Sequence, residues 1–203
     1  MRVRFSVIVI FWALFAYFTP TSVVAEYSKV SSASEGTCLT GACFAPKVTI
    51  ENLELVRRGV ALFEYYRFDV YTAAFFAEPN VDSIEKALAD RPKYLVLEYH
   101  RSLEKQNIID NSEHILDQNK DINRALVKPG FDQLYKLYRD VKSGDRYSLL
   151  YVPGKGTTLF FNGQAQGTVP GFEFHQACFG IWLSKFSVDK DFTQALLKNG
   201  GGK

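Results

Sequence analysis

The sequence predicts an α+β fold: a long antiparallel β-sheet with a layer of helices on one face. Three observations lead there. Strand-like and helix-like segments interleave along the chain. The strand-like segments are joined by short turns, above all Asn162-Gly163, and a two-residue type I′ turn pairs its flanking strands antiparallel. The helical segments carry apolar residues on one side only, so they suit a single covering layer. With 47% hydrophobic and 15% aromatic residues among 203, a sizeable core is available.

The elements follow in order. Residues 47–56 alternate Val48, Ile50, then Leu53, Leu55, which predicts a strand with an irregularity at Glu51-Asn52. Gly59 marks a turn. Residues 60–77 are dense in aromatic and β-branched types and read as one long, largely buried strand. Asp82 to Glu85 resembles a capping box that opens a short helix ending near Pro92. KYLVLEYH (93–100) is a strand. Ser102 is placed to cap a helix with a stripe of Leu103, Ile108, Ile109, Ile115 and Leu116, and Pro129 to start another with Phe131, Leu134, Tyr135 and Tyr138 in period. After Gly144-Asp145 come strands at 146–152, 157–161 and 164–169. A helix carries Phe174, Ala177, Cys178, Ile181 and Trp182 on one face, and Asp189 caps a last one.

The N-terminus reads as an export signal. Arg2 and Arg4 precede an apolar run at 5–18, then a polar break, then Val23-Val24-Ala25 with small residues suited to cleavage before Glu26. The run is short of the roughly 18–20 residues that span a bilayer. The expected organisation is a signal peptide at 1–25, a flexible leader at 26–43, one domain at 44–198 and a flexible tail at 199–203. Localisation is then periplasmic or secreted, with no membrane span left after cleavage.

Charge narrows the partners. The 24 basic and 22 acidic residues nearly balance and no basic run occurs, which speaks against nucleic acid. The three cysteines and three histidines lack the close pairing of a zinc site, so no metal is expected. Cys38 and Cys43 flank a four-residue loop, a plausible disulfide in an exported chain, which leaves Cys178 as the odd thiol on an apolar helical face. Lys155 between two glycines lacks the spacing of a phosphate loop; nucleotide binding is rejected and no cofactor is expected.

Several motifs in shared order resemble the chalcone isomerase-like domain of exported bacterial proteins: FDVYTAAFF (68–76), VKSGD (141–145), VPGKGT (152–157), FNG (161–163), VPGF (169–172), IWL (181–183), VDKD (188–191) and ALL (195–197). The resemblance covers 44–198. It implies a long antiparallel sheet covered on one side by helices, with a ligand cleft between the two layers. In the plant isomerases of that family a phenolate closes a flavanone ring within one molecule; related members without that activity bind fatty acids.

The resemblance carries the catalytic pattern over poorly. Aligning Val70-Tyr71 puts Tyr66 at the position of the strand threonine. The place of the arginine found in many bacterial relatives holds Phe63. Arg57 and Arg58 precede the turn, and the segment that bears the plant tyrosine and asparagine offers only Asn107 and Asn111, in open register. The candidate ligand-binding residues are therefore Arg58, Tyr65, Tyr66 and Asn107, with no catalytic residue assigned. Three functions stand open: binding of a small apolar ligand such as a fatty acid or aromatic metabolite, isomerisation by intramolecular addition, and an envelope interaction module without ligand. The space between the 60–77 strand and the helices discriminates them: an open apolar cavity with one convergent Arg favours binding, and a space filled by Phe and Tyr favours the interaction module.

Overall fold

The computed structural model describes residues 36–198; the expected signal peptide, the first part of the expected leader and the expected tail lie outside the described residues. Seven strands form one sheet in strictly sequential antiparallel order: β3 (Lys47–Ile50), β4 (Leu53–Tyr65), β5 (Phe68–Ala77), β6 (Lys93–Tyr99), β7 (Arg146–Val152), β8 (Gly156–Phe161) and β9 (Gln164–Val169). A separate small hairpin precedes them, β1 (Thr37–Leu39) with β2 (Ala42–Phe44). Helix α1 (Ile84–Leu88) lies between β5 and β6, α2 (Lys105–Gln118) and α3 (Arg124–Leu137) between β6 and β7, and α4 (Phe172–Leu183) and α5 (Lys190–Leu197) follow the sheet.

The register sorts the side chains by parity. Phe75 faces Leu95, Leu95 faces Leu149, and Leu149 faces Leu159, and this row packs under the helices. Odd-numbered residues of β5 to β8 line that face, because side chains alternate across a strand. Even-numbered ones, including Ala74, Phe76, Tyr94, Val96 and Leu150, form a second apolar cluster on the opposite face together with Ala42 and Phe44 of the small hairpin. Residues 37–44, expected at the end of a loose leader, thus cover the sheet face that has no helices. Thr72 Oγ1 donates to the Leu39 carbonyl at 3.3 Å, the Arg57 guanidinium donates to the Phe44 carbonyl, and Arg146 Nη2 donates to the Cys43 carbonyl at 3.3 Å.

The expected Cys38–Cys43 disulfide joins the two strands of this hairpin, and Cys178 is free and buried. Closing so short a loop stabilises by about 2 kcal/mol in the chain-entropy account. Replacing both cysteines by Ser is therefore expected to lower the free energy of urea unfolding by about that amount. An unchanged midpoint in the double variant would show that the disulfide adds nothing to the domain.

Several expected boundaries move. The 60–77 strand is two strands, reversed at Tyr66-Arg67 with φ of 47° and 68°. The irregularity at Glu51-Asn52 is likewise a full reversal, with φ of 47° and 64°. Gly59 is not a turn but lies inside β4, beside a bulge between Arg57 and Gly59. Helix α3 begins five residues before Pro129, capped by Asn123, whose side chain accepts from the Ala125 and Leu126 amides. Pro129 leaves the Ala125 carbonyl without its helical donor, which is tolerated because Ala125 is exposed to water. Ser83 caps α1 rather than Asp82, which pairs with Lys86 instead. Ser102 caps nothing: α2 starts after Glu104, and Asp140 accepts from the Lys105 amide. Asn162-Gly163 and the Asp189 cap stand as expected, at φ of 48° and 80° and with Asp189 Oδ1 accepting from the Phe192 amide at 2.7 Å.

Candidate functional site between sheet and helices

The helix-facing side of the sheet has a different chemistry at each end. At one end sit Phe63, Tyr71 and Tyr99, one from each of β4, β5 and β6, directly paired across the strands. Phe63 stacks on Tyr71 at 5.1 Å, and Phe192 of α5 meets both edge-on. Tyr138 and Tyr147 continue the ring contacts. Trp182 Nε1 donates to the Tyr71 hydroxyl at 3.1 Å, and Tyr147 is tied to the Arg139 backbone through its own hydroxyl. Burial raises the pKa of Tyr71, Tyr99 and Tyr138, so all three stay protonated. The space between β5 and the helices is thus occupied by aromatic side chains of the chain itself.

At the other end the sheet carries buried polar groups. Arg58 is the extra residue of the β4 bulge, a device that re-aims a side chain. Its Nε donates to the Val81 carbonyl at 2.8 Å, while its Nη2 is buried with no hydrogen-bond partner among the described residues. Arg58 is 6% exposed, and no carboxylate lies at ion-pair distance among the described residues. Burial lowers its pKa, and the more distant Asp82 opposes that. Two strands along, Lys93 Nζ donates to the Ala89 carbonyl at 2.5 Å and to His175 Nε2 at 2.7 Å. His175 therefore carries its proton on Nδ1, 3.2 Å from the Phe172 carbonyl. Tyr151 stacks on the imidazole at 3.6 Å and donates to Asp90 Oδ1 at 2.5 Å. Burial pulls Lys93 down to about 7 and His175 down to about 3. Together these groups hold residues 78–92, the connection that contains α1, against the sheet and α4.

The four expected ligand residues are not brought together. Arg58 points into the protein. Tyr65 and Tyr66 sit at the β4–β5 reversal, 61% and 80% exposed. Seven residues of extended strand, roughly 23 Å, separate Arg58 from Tyr65. Tyr66 leaves the sheet altogether because it occupies the turn. Asn107 lies on the exposed side of α2. Lys93, His175 and Tyr151 were missed as a cluster. Strand parity held the signal for Lys93: it shares the face of Leu95 and Leu97, so its ammonium had to be buried. A groove of about 280 Å³ opens elsewhere, between α3 and the β9–α4 turn, lined by Leu126, Pro129, Gly130, Gln133, Pro170 and Phe174 among others. None of the expected residues reaches it.

A sequential antiparallel sheet under a helical layer, with a polar and an aromatic end to the space between, defines a small α+β class. Residues 37–198 match the sequence model of the chalcone isomerase-like family, and the chain belongs to that family. Among solved structures it is similar to a fatty-acid-binding protein of Arabidopsis thaliana, with a TM-score of 0.63 at 14% identity, covering 81% of this chain and 96% of that one. At that identity the likeness shows the fold. No curated protein sequence matches the chain.

Proposed function

We propose that this chain binds a small, largely apolar ligand with an acidic headgroup, of the fatty-acid or aromatic-metabolite class, with Arg58 as the headgroup contact. The buried, unpartnered Nη2 of Arg58 carries this reading. A charged donor left without an acceptor in a protein interior is costly, and a carboxylate would supply the missing acceptor. The fold shared with a fatty-acid-binding protein supports it. Isomerisation is the weaker reading: no catalytic residue is assigned, and the aromatic end of the interior is filled by Phe63 in ring contacts with Tyr71 and Phe192. Export from the cytoplasm, expected from residues 1–25, is part of the same proposal and places the ligand in the envelope or outside the cell.

The aromatic filling supports a second reading, an envelope interaction module, and it means that a ligand tail enters by displacing side chains. Calorimetric titration with laurate distinguishes the two. Arg58→Met is expected to weaken laurate binding at least about tenfold, the worth of a charge-assisted hydrogen bond. Equal affinity of the two proteins would remove Arg58 from the site, and absence of binding by the unaltered chain would favour the interaction module.

A further inference from the structure

The β4–β5 reversal is built against conformational preference. Tyr66 and Arg67 both take left-handed φ, 47° and 68°. The other two-residue reversals among the described residues use Thr40-Gly41, Glu51-Asn52 and Asn162-Gly163, each with Gly or Asn second, the residues that tolerate this region. At Tyr66-Arg67 the same geometry is imposed on a ring and a guanidinium. Strain of this kind persists where a side chain is wanted for a contact.

The side chains presented there form a compact group. Tyr65 and Tyr66 meet edge to face at 4.5 Å, and Phe68 pairs with Tyr65 across the hairpin. The three are 61%, 80% and 58% exposed, although the chain buries most of its other large aromatics. The Arg101 guanidinium lies over the Phe68 ring at 4.7 Å, and Arg67 is exposed at the apex. Neither arginine has an ion pair among the described residues. The acidic residues of the hairpin, Glu64 and Asp69, face each other one rung behind the apex.

Area and composition decide the partner. Three rings so exposed offer roughly 400 Å², the size at which an apolar patch signals function but about half of what each side of a stable protein interface covers. The rings crowd the apex of a tight reversal and are largely exposed, which suits a soft, fluid partner. Tyrosine and phenylalanine rings settle at the headgroup level of bilayers, and guanidinium groups match phosphate oxygens. We propose that the β4–β5 tip inserts into the headgroup layer of a phospholipid bilayer, with Tyr65, Tyr66 and Phe68 among the headgroups and Arg67 and Arg101 on lipid phosphates. This contact is independent of Arg58, which lies seven residues back along β4 in the interior.

Hydrogen exchange of the full chain, with and without equimolar phosphatidylcholine–phosphatidylglycerol vesicles, tests it. The amides of residues 62–70 are expected to slow at least about fivefold when vesicles are added, more than with phosphatidylcholine alone, as two basic groups near an anionic surface require. Two variants isolate the tip, since the apolar run at 5–18 is common to all the chains. Tyr66→Asn with Arg67→Gly relieves the turn; it is expected to raise Tm by about 2–4 °C while abolishing the vesicle-dependent protection. Tyr65→Thr with Phe68→Thr keeps the turn and is expected to lose the protection too. Exchange at 62–70 that is unchanged by vesicles, or protection retained in the Asn-Gly variant, would overturn the proposal.

Discussion

Acidification from pH 6.5 towards pH 3 is expected to destabilise the unaltered chain far more than its His175→Gln variant. The imidazole is fully buried, its Nε2 already accepts from Lys93, and among the described residues no carboxylate bonds to it. The groups that face it are Lys93 from β6, Tyr151 from β7 with Asp90 behind its hydroxyl, and the Phe172 carbonyl from its own helix; Arg91 adds positive charge near Lys93. Burial first, and then the Lys93 charge, hold the His175 pKa near 3, against about 6.5 in the unfolded chain. The unfolded state therefore binds the extra proton throughout that interval. Stability from this site is complete above pH 6.5 and is lost as pH falls towards 3, by on the order of 4 kcal/mol. Lys93 acts with the same sign in a higher window. Its folded pKa near 7 lies below the ordinary 10.5, so stability also rises as pH goes from 7 to 10.5. Urea unfolding at a series of pH values measures both intervals. Parallel curves for the unaltered chain and His175→Gln below pH 6.5 would mean that the imidazole is not the titrating group.

Gly59→Ala is expected to cost at least about 3 kcal/mol, at the upper end of what overpacking does. A Cβ at this position would stand 2.0 Å from the Ala195 carbonyl oxygen and 2.6 Å from the Leu196 carbonyl. Those are backbone atoms of the last turn of α5, so no rotamer change relieves the clash. Either α5 lifts from β4 or the β4 bulge deforms. Lifting α5 would open the aromatic end of the interior, because Phe192 rests on Phe63 and Tyr71. Thermal unfolding together with exchange of the α5 amides reads the outcome. A Tm within a degree of the unaltered chain would show that the contact yields without consequence.

The legibility of this chain depends on whether local chemistry and tertiary demand agree. β6, β7 and β9 were legible because alternation or an Asn-Gly turn marks their limits, and the Asp189 cap because its acceptor serves an amide three residues on. The break inside residues 60–77 was not legible. Turn chemistry there is Tyr-Arg, which carries no turn signal, and both flanks are aromatic. Gly59 misled in the opposite direction: its lack of a side chain serves the approach of α5, a contact from the far end of the chain that no local pattern announces. For the candidate site, the burial of Arg58 comes from a bulge, which shifts parity by one and is invisible in composition. Tyr65 and Tyr66 read as interior strand residues because the turn that ejects them carries no turn residue. The family resemblance was readable from motif order alone, and the match over 37–198 shows it to hold.

Strand order has a consequence for how the molecule comes into being. In β3 to β9 every strand pairs only with its neighbours in sequence, so each new strand meets an edge that has already been synthesised. Ladder contacts of this kind close short loops, except where α1 intervenes before β6 and α2 and α3 before β7, and short loops keep the entropy of closure small. The exception to this one-way growth is α5, the last described element, which returns to Gly59 near the start of the sheet. A chain that stops short of residue 190 has every strand and no seal, with the rings of Phe63 and Tyr71 left facing the place where Phe192 belongs.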